Sequence, residues 1–187
     1  PHQVVNAGLA VAAARAPGLP RIRPPAIAEG LRRVSWPGRM QRVEAGPLPE
    51  AEVWLDGGHN PSAGIALAAT LRDLPQAGRP LWLVVGMKPN KDAAAYLDAL
   101  APLAAGLVAI PIPGEDSMPA AALAAIAKAR GVAATVTAAT PAAALAHIAA
   151  AAPRARVVVC GSLYLVGAVL ASPLTGPSRA SSATAAR

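Results

Sequence analysis

From residue 39 onward, short runs of β-type residues alternate with Ala-rich helical runs about five times, which restricts the chain to an α/β architecture. Residues 40–44 and 52–55 read as strands, 61–74 as a helix and 81–85 as a strand entered from Pro80. A helix over 92–100, a strand over 107–112 and a helix over 119–130, stopped by Gly131, follow. Residues 133–136 form a weak strand pattern, 141–152 a helix, and 156–160 a strand that runs into a helix from Ser162. The runs Leu81-Trp82-Leu83-Val84-Val85 and Val157-Val158-Val159-Cys160 are apolar at every position. Strands covered on both faces have that character, so the expectation is a mainly parallel sheet with helices on both faces.

The segment before residue 39 has a different texture. Residues 3–16 have helix-forming composition with apolar residues nearly all round (Val4, Val5, Leu9, Val11), suiting a helix buried against a partner. Pro17-Gly18 ends it. Pro20, Pro24, Pro25 and Pro37 mark 19–37 as a linker around a short helical turn near 27–31. Residues 38–171 then form the domain proper, and 172–187, rich in Ser, Ala, Thr, Pro and Gly, read as a disordered tail. Residue 1 is Pro rather than Met, and the first stretch has no signal-peptide character. The chain therefore reads as a piece of a longer polypeptide.

Charge distribution decides between function classes. The net charge is +7. Residues 1–42 hold seven Arg against Glu29, 43–171 hold eight Lys or Arg against nine acids, and the tail adds Arg179 and Arg187. The body is thus nearly neutral. With three Trp, two Tyr and no Phe, it lacks the interleaved bases and aromatics of a nucleic-acid channel, and no nucleic-acid partner is expected. The longest apolar stretch, 157–171, is interrupted by Gly161, Ser162 and Gly167 and falls short of the roughly 20 residues of a membrane span. A single Cys excludes an internal disulfide framework and a Cys-based zinc site. A cytoplasmic protein without membrane attachment fits best.

Ligands of open α/β sheets bind beyond the carboxyl ends of the strands, so the residues just after each strand carry the information. In Leu55-Asp56-Gly57-Gly58-His59-Asn60-Pro61, an acid, an imidazole and a helix start follow one strand. Asp56 and His59 either serve a ligand or satisfy backbone groups of the turn. In Cys160-Gly161-Ser162-Leu163-Tyr164, Gly161 permits close approach, and the helix start suits a carboxylate. A plain capped helix start reads equally well there, and Tyr164 is either core or site. In Val85-Gly86-Met87-Lys88-Pro89-Asn90-Lys91-Asp92, two of the three Lys share one loop, within reach of a phosphate or within a solvated turn. No G-x-x-x-x-G-K-[ST], G-x-G-x-x-G or G-x-S-x-G string occurs. If the chain binds ATP, it supplies only part of the site.

Four strings in order resemble the C-terminal domain of folylpolyglutamate synthase, often bifunctional with dihydrofolate synthase, in the Mur-ligase superfamily. They are Trp36-Pro37-Gly38-Arg39, Leu55-Asp56-Gly57-Gly58-His59-Asn60-Pro61, Gly86-Met87 with Lys91-Asp92, and Gly161-Ser162-Leu163-Tyr164-Leu165. Gly58 departs from the Ala usual in that family, and Asn90 from the Asp common there.

The resemblance implies a Rossmann-like Mur-ligase C-terminal domain in an ATP-dependent ligase. A carboxylate of dihydropteroate or a folyl glutamate is phosphorylated, and the amine of L-glutamate attacks the acyl phosphate. Residues 1–18 would end a missing ATPase domain carrying the phosphate loop and the Mg²⁺ ligands, with no metal ligand in this chain, and 19–37 would be the hinge. Arg39 and Asp56 would contact ATP, with Lys91 on the phosphate side. His59, Ser162 and Tyr164 would line the glutamate pocket, with Arg39 and His59 as the catalytic pair. A monomer, inactive without its ATPase domain, is expected. A Mur-type ligase of peptidoglycan precursors and a stand-alone α/β nucleotide- or metabolite-binding module are the alternatives.

Overall fold

Each expected β-type run of the domain forms a strand, and among the described residues all six join one sheet. The strands are β1 (Gln41–Val43), β2 (Glu52–Asp56), β3 (Leu81–Val85), β4 (Gly106–Ala109), β5 (Ala134–Thr137) and β6 (Arg156–Cys160). The helices are α1 (His2–Ala14), α2 (Pro24–Arg33), α3 (Pro61–Asp73), α4 (Ala93–Asp98), α5 (Ala120–Ala129), α6 (Pro141–Ala151) and α7 (Leu163–Leu170). The computed structural model describes residues 2–16, 22–44, 48 and 50–172. The helix stop at Pro17-Gly18, residues 19–21 of the expected linker and the tail from 173 lie outside them. The chain divides into two units, Pro1–Pro37 and Gly38–Arg187.

In the second unit the strand order is β1-β2-β6-β3-β4-β5. Only β1 runs antiparallel to its neighbour; every other pairing is parallel. Strand β6 is buried at all five positions, between β2 and β3. Side chains alternate across the sheet, as the two-residue repeat of a strand requires. Leu83, Val85, Leu107 and Val158 pack with Leu67, Leu71, Tyr96, Leu97 and Leu123 of α3, α4 and α5. Trp82, Val84, Val108, Val157 and Val159 pack with Leu145 and Ile148 of α6 and with Leu165, Val166 and Val169 of α7. Helices therefore cover both faces.

Three local expectations change, each for a backbone reason. Strand β4 stops at Ala109 rather than 112: Ile110 still donates to the Val85 carbonyl at 2.9 Å, but Pro111 has no N–H to continue the ladder. Strand β1 starts at Gln41 because Met40 is left-handed, with φ 44°. Helix α2 is a full helix instead of a short turn around 27–31. Pro24 and Pro25 occupy its first turn, where no N–H is needed, and Glu29 pairs with Arg32 at 2.6 Å. In the first unit, Val4, Val5 and Leu9 of α1 are exposed.

At the sheet edge where β2 and β6 begin, a charge network ties the strands together. Arg156 is 4% exposed and donates to Glu52 Oε2 at 2.9 Å and to the Pro75 carbonyl at 2.6 Å. Arg79 stands 3.6 Å from the other Glu52 oxygen. Burial pushes the Glu52 carboxyl up, but the hydrogen bond and charge of Arg156, with Arg42 and Arg79, outweigh it and hold the group below its ordinary 4.5. A carboxyl depressed in the folded state stabilises above its unfolded value and loses that contribution as pH falls through the folded one. Glu52→Gln should cost about 1–3 kcal/mol near neutrality by leaving Arg156 half-paired. In urea unfolding series the gap to wild type should be full above about pH 5 and close on further acidification; a pH-independent gap would refute the ion-pair account.

Candidate functional site at the strand switch point

The crossover through α6 returns the chain to the middle of the sheet, so β2, β6 and β3 end side by side. Cys160 is level with Asp56 on one side and Val85 on the other. The three loops that carry the motifs therefore leave one edge together, at the crevice where such sheets bind ligands. Backbone bonds join them: Gly161 N–H to the Gly58 carbonyl at 3.1 Å, Gly86 N–H to the Cys160 carbonyl at 3.3 Å, and Gly57 N–H to the Gly38 carbonyl at 2.7 Å.

Gly161 makes this junction possible. Its φ is 95°, and a Cβ there would lie 2.8 Å from both the Gly86 carbonyl oxygen and Met87 Cγ. Only glycine combines that backbone region with that approach. Ser162 follows as the N-cap of α7, 3% exposed, its Oγ accepting the Tyr164 N–H at 3.1 Å. Asn60 caps α3 by accepting from Ala63 N–H at 2.9 Å, and Asp92 caps α4 by accepting from Ala95 N–H at 2.9 Å.

Between these loops lies a cavity of about 520 Å³, lined by His59, Lys88, Lys91, Asp116, Ser162 and Tyr164 among others. His59 Nδ1 is 3.0 Å from the Gly57 carbonyl oxygen. A carbonyl only accepts, so Nδ1 carries the hydrogen and the neutral ring keeps its lone pair on Nε2. Lys88 Nζ lies 4.7 Å from the Tyr164 ring centroid and is ion-paired with Glu115. The hydrogen bond to Glu115, helped by the charges of Glu115 and Asp116, pushes the Lys88 ammonium up against desolvation.

Of the sequence candidates, His59, Lys91, Ser162 and Tyr164 line the cavity; Arg39 and Asp56 do not. Asp56 is 8% exposed, and both its oxygens are used: Oδ1 accepts from Gly58 N–H at 2.8 Å and Oδ2 from Met40 N–H at 3.1 Å. Arg39 is exposed between two left-handed residues, Gly38 with φ 73° and Met40 with φ 44°. The Asp56 carboxylate thus pins the strained turn that displays Arg39. Behind the turn, burial pushes the Cys160 thiol up to about 12 and raises the fully buried Tyr96 phenol, so both stay neutral. Among the described residues no group of three His, Cys, Asp or Glu could hold a metal ion. The sequence places Lys88 in a candidate loop without a role of its own, and it gives Glu115 and Asp116 none. Their one signal was an acidic pair after Gly114, in the loop that follows another strand of the sheet.

A family model described as Mur ligase, glutamate ligase domain, matches residues 38–163. The dihydrofolate synthase/folylpolyglutamate synthase of Escherichia coli K12 is 40% identical over 92 residues, covering 49% of this chain and 20% of the relative. The solved structure of E. coli FolC in complex with DHPP and ADP superposes with a TM-score of 0.73 at 31% identity, over 88% of this chain and 37% of that one. A bifunctional folylpolyglutamate synthase/dihydrofolate synthase with Mn, AMPPNP and L-glutamate bound gives 0.74 at 30% identity, over 90% and 39%. The chain thus spans well under half the length of these relatives.

The two aspartates can be told apart. Asp56→Asn keeps one acceptor for two backbone N–H groups and should destabilise the chain by about 1–3 kcal/mol. Asp92→Asn, at a cap where Asn serves as well as Asp, should stay within about 0.5 kcal/mol of wild type. Equal urea midpoints for both variants would remove the structural role given to Asp56.

Proposed function

The chain belongs to the Mur ligase, glutamate ligase domain family, and from that premise we propose that it is the C-terminal part of an ATP-dependent ligase joining L-glutamate to dihydropteroate or a folyl glutamate. The observation that carries this reading is the cavity at the switch point. It sets Lys88 and Lys91 beside the capped start of α7 and a histidine of defined tautomer. Two cations and a helix N-terminus suit a small dicarboxylic amino acid.

In this reading the reaction has two halves. ATP phosphorylates the carboxylate of the pteroate or folate substrate, and the amine of glutamate displaces phosphate from the acyl group to form the amide. Ser162 and the first turn of α7 receive a carboxylate of the amino acid, with Tyr164 forming the wall. Only the neutral amine is nucleophilic, and His59 Nε2 has the lone pair to take the ammonium proton. Lys91 serves the phosphate side of the same cavity. Arg39, displayed outside it, meets phosphoryl charge when the two parts of the enzyme close, and closure also shields the acyl phosphate from water. Asp56 acts on ATP through the Arg39 turn, since its oxygens already hold backbone N–H groups.

The phosphate loop and Mg²⁺ site belong to a preceding ATPase domain of the same polypeptide. In this reading residues 1–18, with α1 (His2–Ala14), belong to its end, 19–37 are the hinge, and 38–171 the glutamate-ligase domain. The proposed enzyme is monomeric and cytoplasmic; separately, no helix among the described residues is long and apolar enough to cross a membrane.

Radiolabelled glutamate supplied with ATP and the polypeptide that carries this chain should enter a folate product. Incorporation into a peptidoglycan precursor instead would overturn the substrate assignment. Arg39→Ala should lower kcat at least tenfold with little change in glutamate KM, because phosphoryl charge develops toward the transition state. Ser162→Ala should raise glutamate KM with a smaller effect on kcat, and an unchanged KM would remove Ser162 from the pocket.

A further inference from the structure

The pairing of Lys88 with Glu115 ties the loop at 86–92 to the loop at 110–118 beside the cavity, and the reading above gives Glu115 no part. We propose that Glu115 is a built-in competitor for the substrate: it holds Lys88 over Tyr164 until the side-chain carboxylate of the incoming amino acid takes its place. Lys88 is thereby the residue that selects an acidic side chain. This rests on the glutamate-ligase reading and deepens it.

Three observations carry the inference. First, Lys88 lines the cavity and its ammonium is fixed from below by the Tyr164 ring, 4.7 Å to the centroid. Tyr164 lies in the first turn of α7, two residues beyond the Ser162 cap, so the cation is registered against the place proposed for the other carboxylate. An ammonium has three donors, and one goes to Glu115. Second, the Glu115 side chain is 33% exposed. It can return to water at little cost, because partly exposed ion pairs contribute little. Third, the lining also carries Lys91 and Asp116, whose charges cancel in sum. With Glu115 in place Lys88 is neutralised; with Glu115 displaced, the cavity has one uncompensated cation, which an acidic side chain matches and an amide does not.

Exchange of one carboxylate for another leaves the number of ion pairs unchanged. A neutral side chain offers no such exchange, so Lys88 stays with Glu115 and the amide meets an occupied cation. Discrimination of this kind arises from the competing group as much as from the contact itself.

A simple clip between the loops at 86–92 and 110–118 predicts something different, which makes the test decisive. In the polypeptide carrying this chain, Glu115→Gln should lower glutamate KM about two- to fivefold, the scale of a partly exposed ion pair, with kcat within about twofold. Lys88→Met should raise it by about tenfold and reduce the preference for glutamate over glutamine, and Lys88→Arg should restore most of that preference. Amide spectra of each purified variant confirm that it is folded. If both substitutions raise KM together, the pair is a clip and the proposal is overturned. Unchanged KM values in an enzyme that still incorporates glutamate overturn it while leaving the ligase reading intact. A wild-type polypeptide that incorporates no glutamate removes both.

Discussion

The approach of the Gly161 backbone to the Gly86 carbonyl is the constraint on which the crevice depends. Strand β6 lies between β2 and β3, and all three end level. For the chain to turn from β6 into α7 at that point, it must pass over the β3 loop with no room for a Cβ. The left-handed φ of 95° at Gly161 then aims the first turn of α7 at the cavity. Everything placed there follows from this turn: the buried Ser162 cap, the exposed Tyr164 ring, and the Lys88 ammonium resting on it.

Much of the fold is legible in the sequence because the information is local. A short, continuous apolar run rich in Val such as 81–85 reads as a strand covered on both faces, and Asn60-Pro61 announces a helix start. Local reasoning fails where one residue answers to two patterns. Pro24-Pro25 breaks a helix interior but begins one, and only the third dimension shows that α2 starts there. The strand order is also hidden, since β6 reaches its place between β2 and β3 through partners more than seventy residues away in sequence.

The site is less legible than the fold for the same reason. Asp56 and His59 belong to one motif, yet the structure uses them differently. The carboxylate turns back onto Gly58 and Met40, while the imidazole, fixed through Gly57, lines the cavity. The motif records both and distinguishes neither. Glu115 carries no motif, and its importance comes from a partner 27 positions away. The net charge of +7 lies at the chain's ends, whereas the charges at the cavity, Lys88 and Lys91 with Glu115 and Asp116, cancel.

The small-scale geometry links two parts of the proposed reaction that do not touch. Arg39 is outside the cavity and His59 inside it, but one loop governs both. Asp56 Oδ2 holds the Met40 amide and so the turn carrying Arg39; Asp56 Oδ1 holds the Gly58 amide, immediately before His59. The Gly57 carbonyl receives the imidazole, while the Gly57 amide holds Gly38. In the proposed reaction a guanidinium for phosphoryl charge and an imidazole for the amine proton serve one acyl phosphate in sequence. Tying the two loops to one nearly buried carboxylate would keep their separation fixed during the closure proposed above. This accounts for a carboxylate outside the cavity sitting at the centre of the motif.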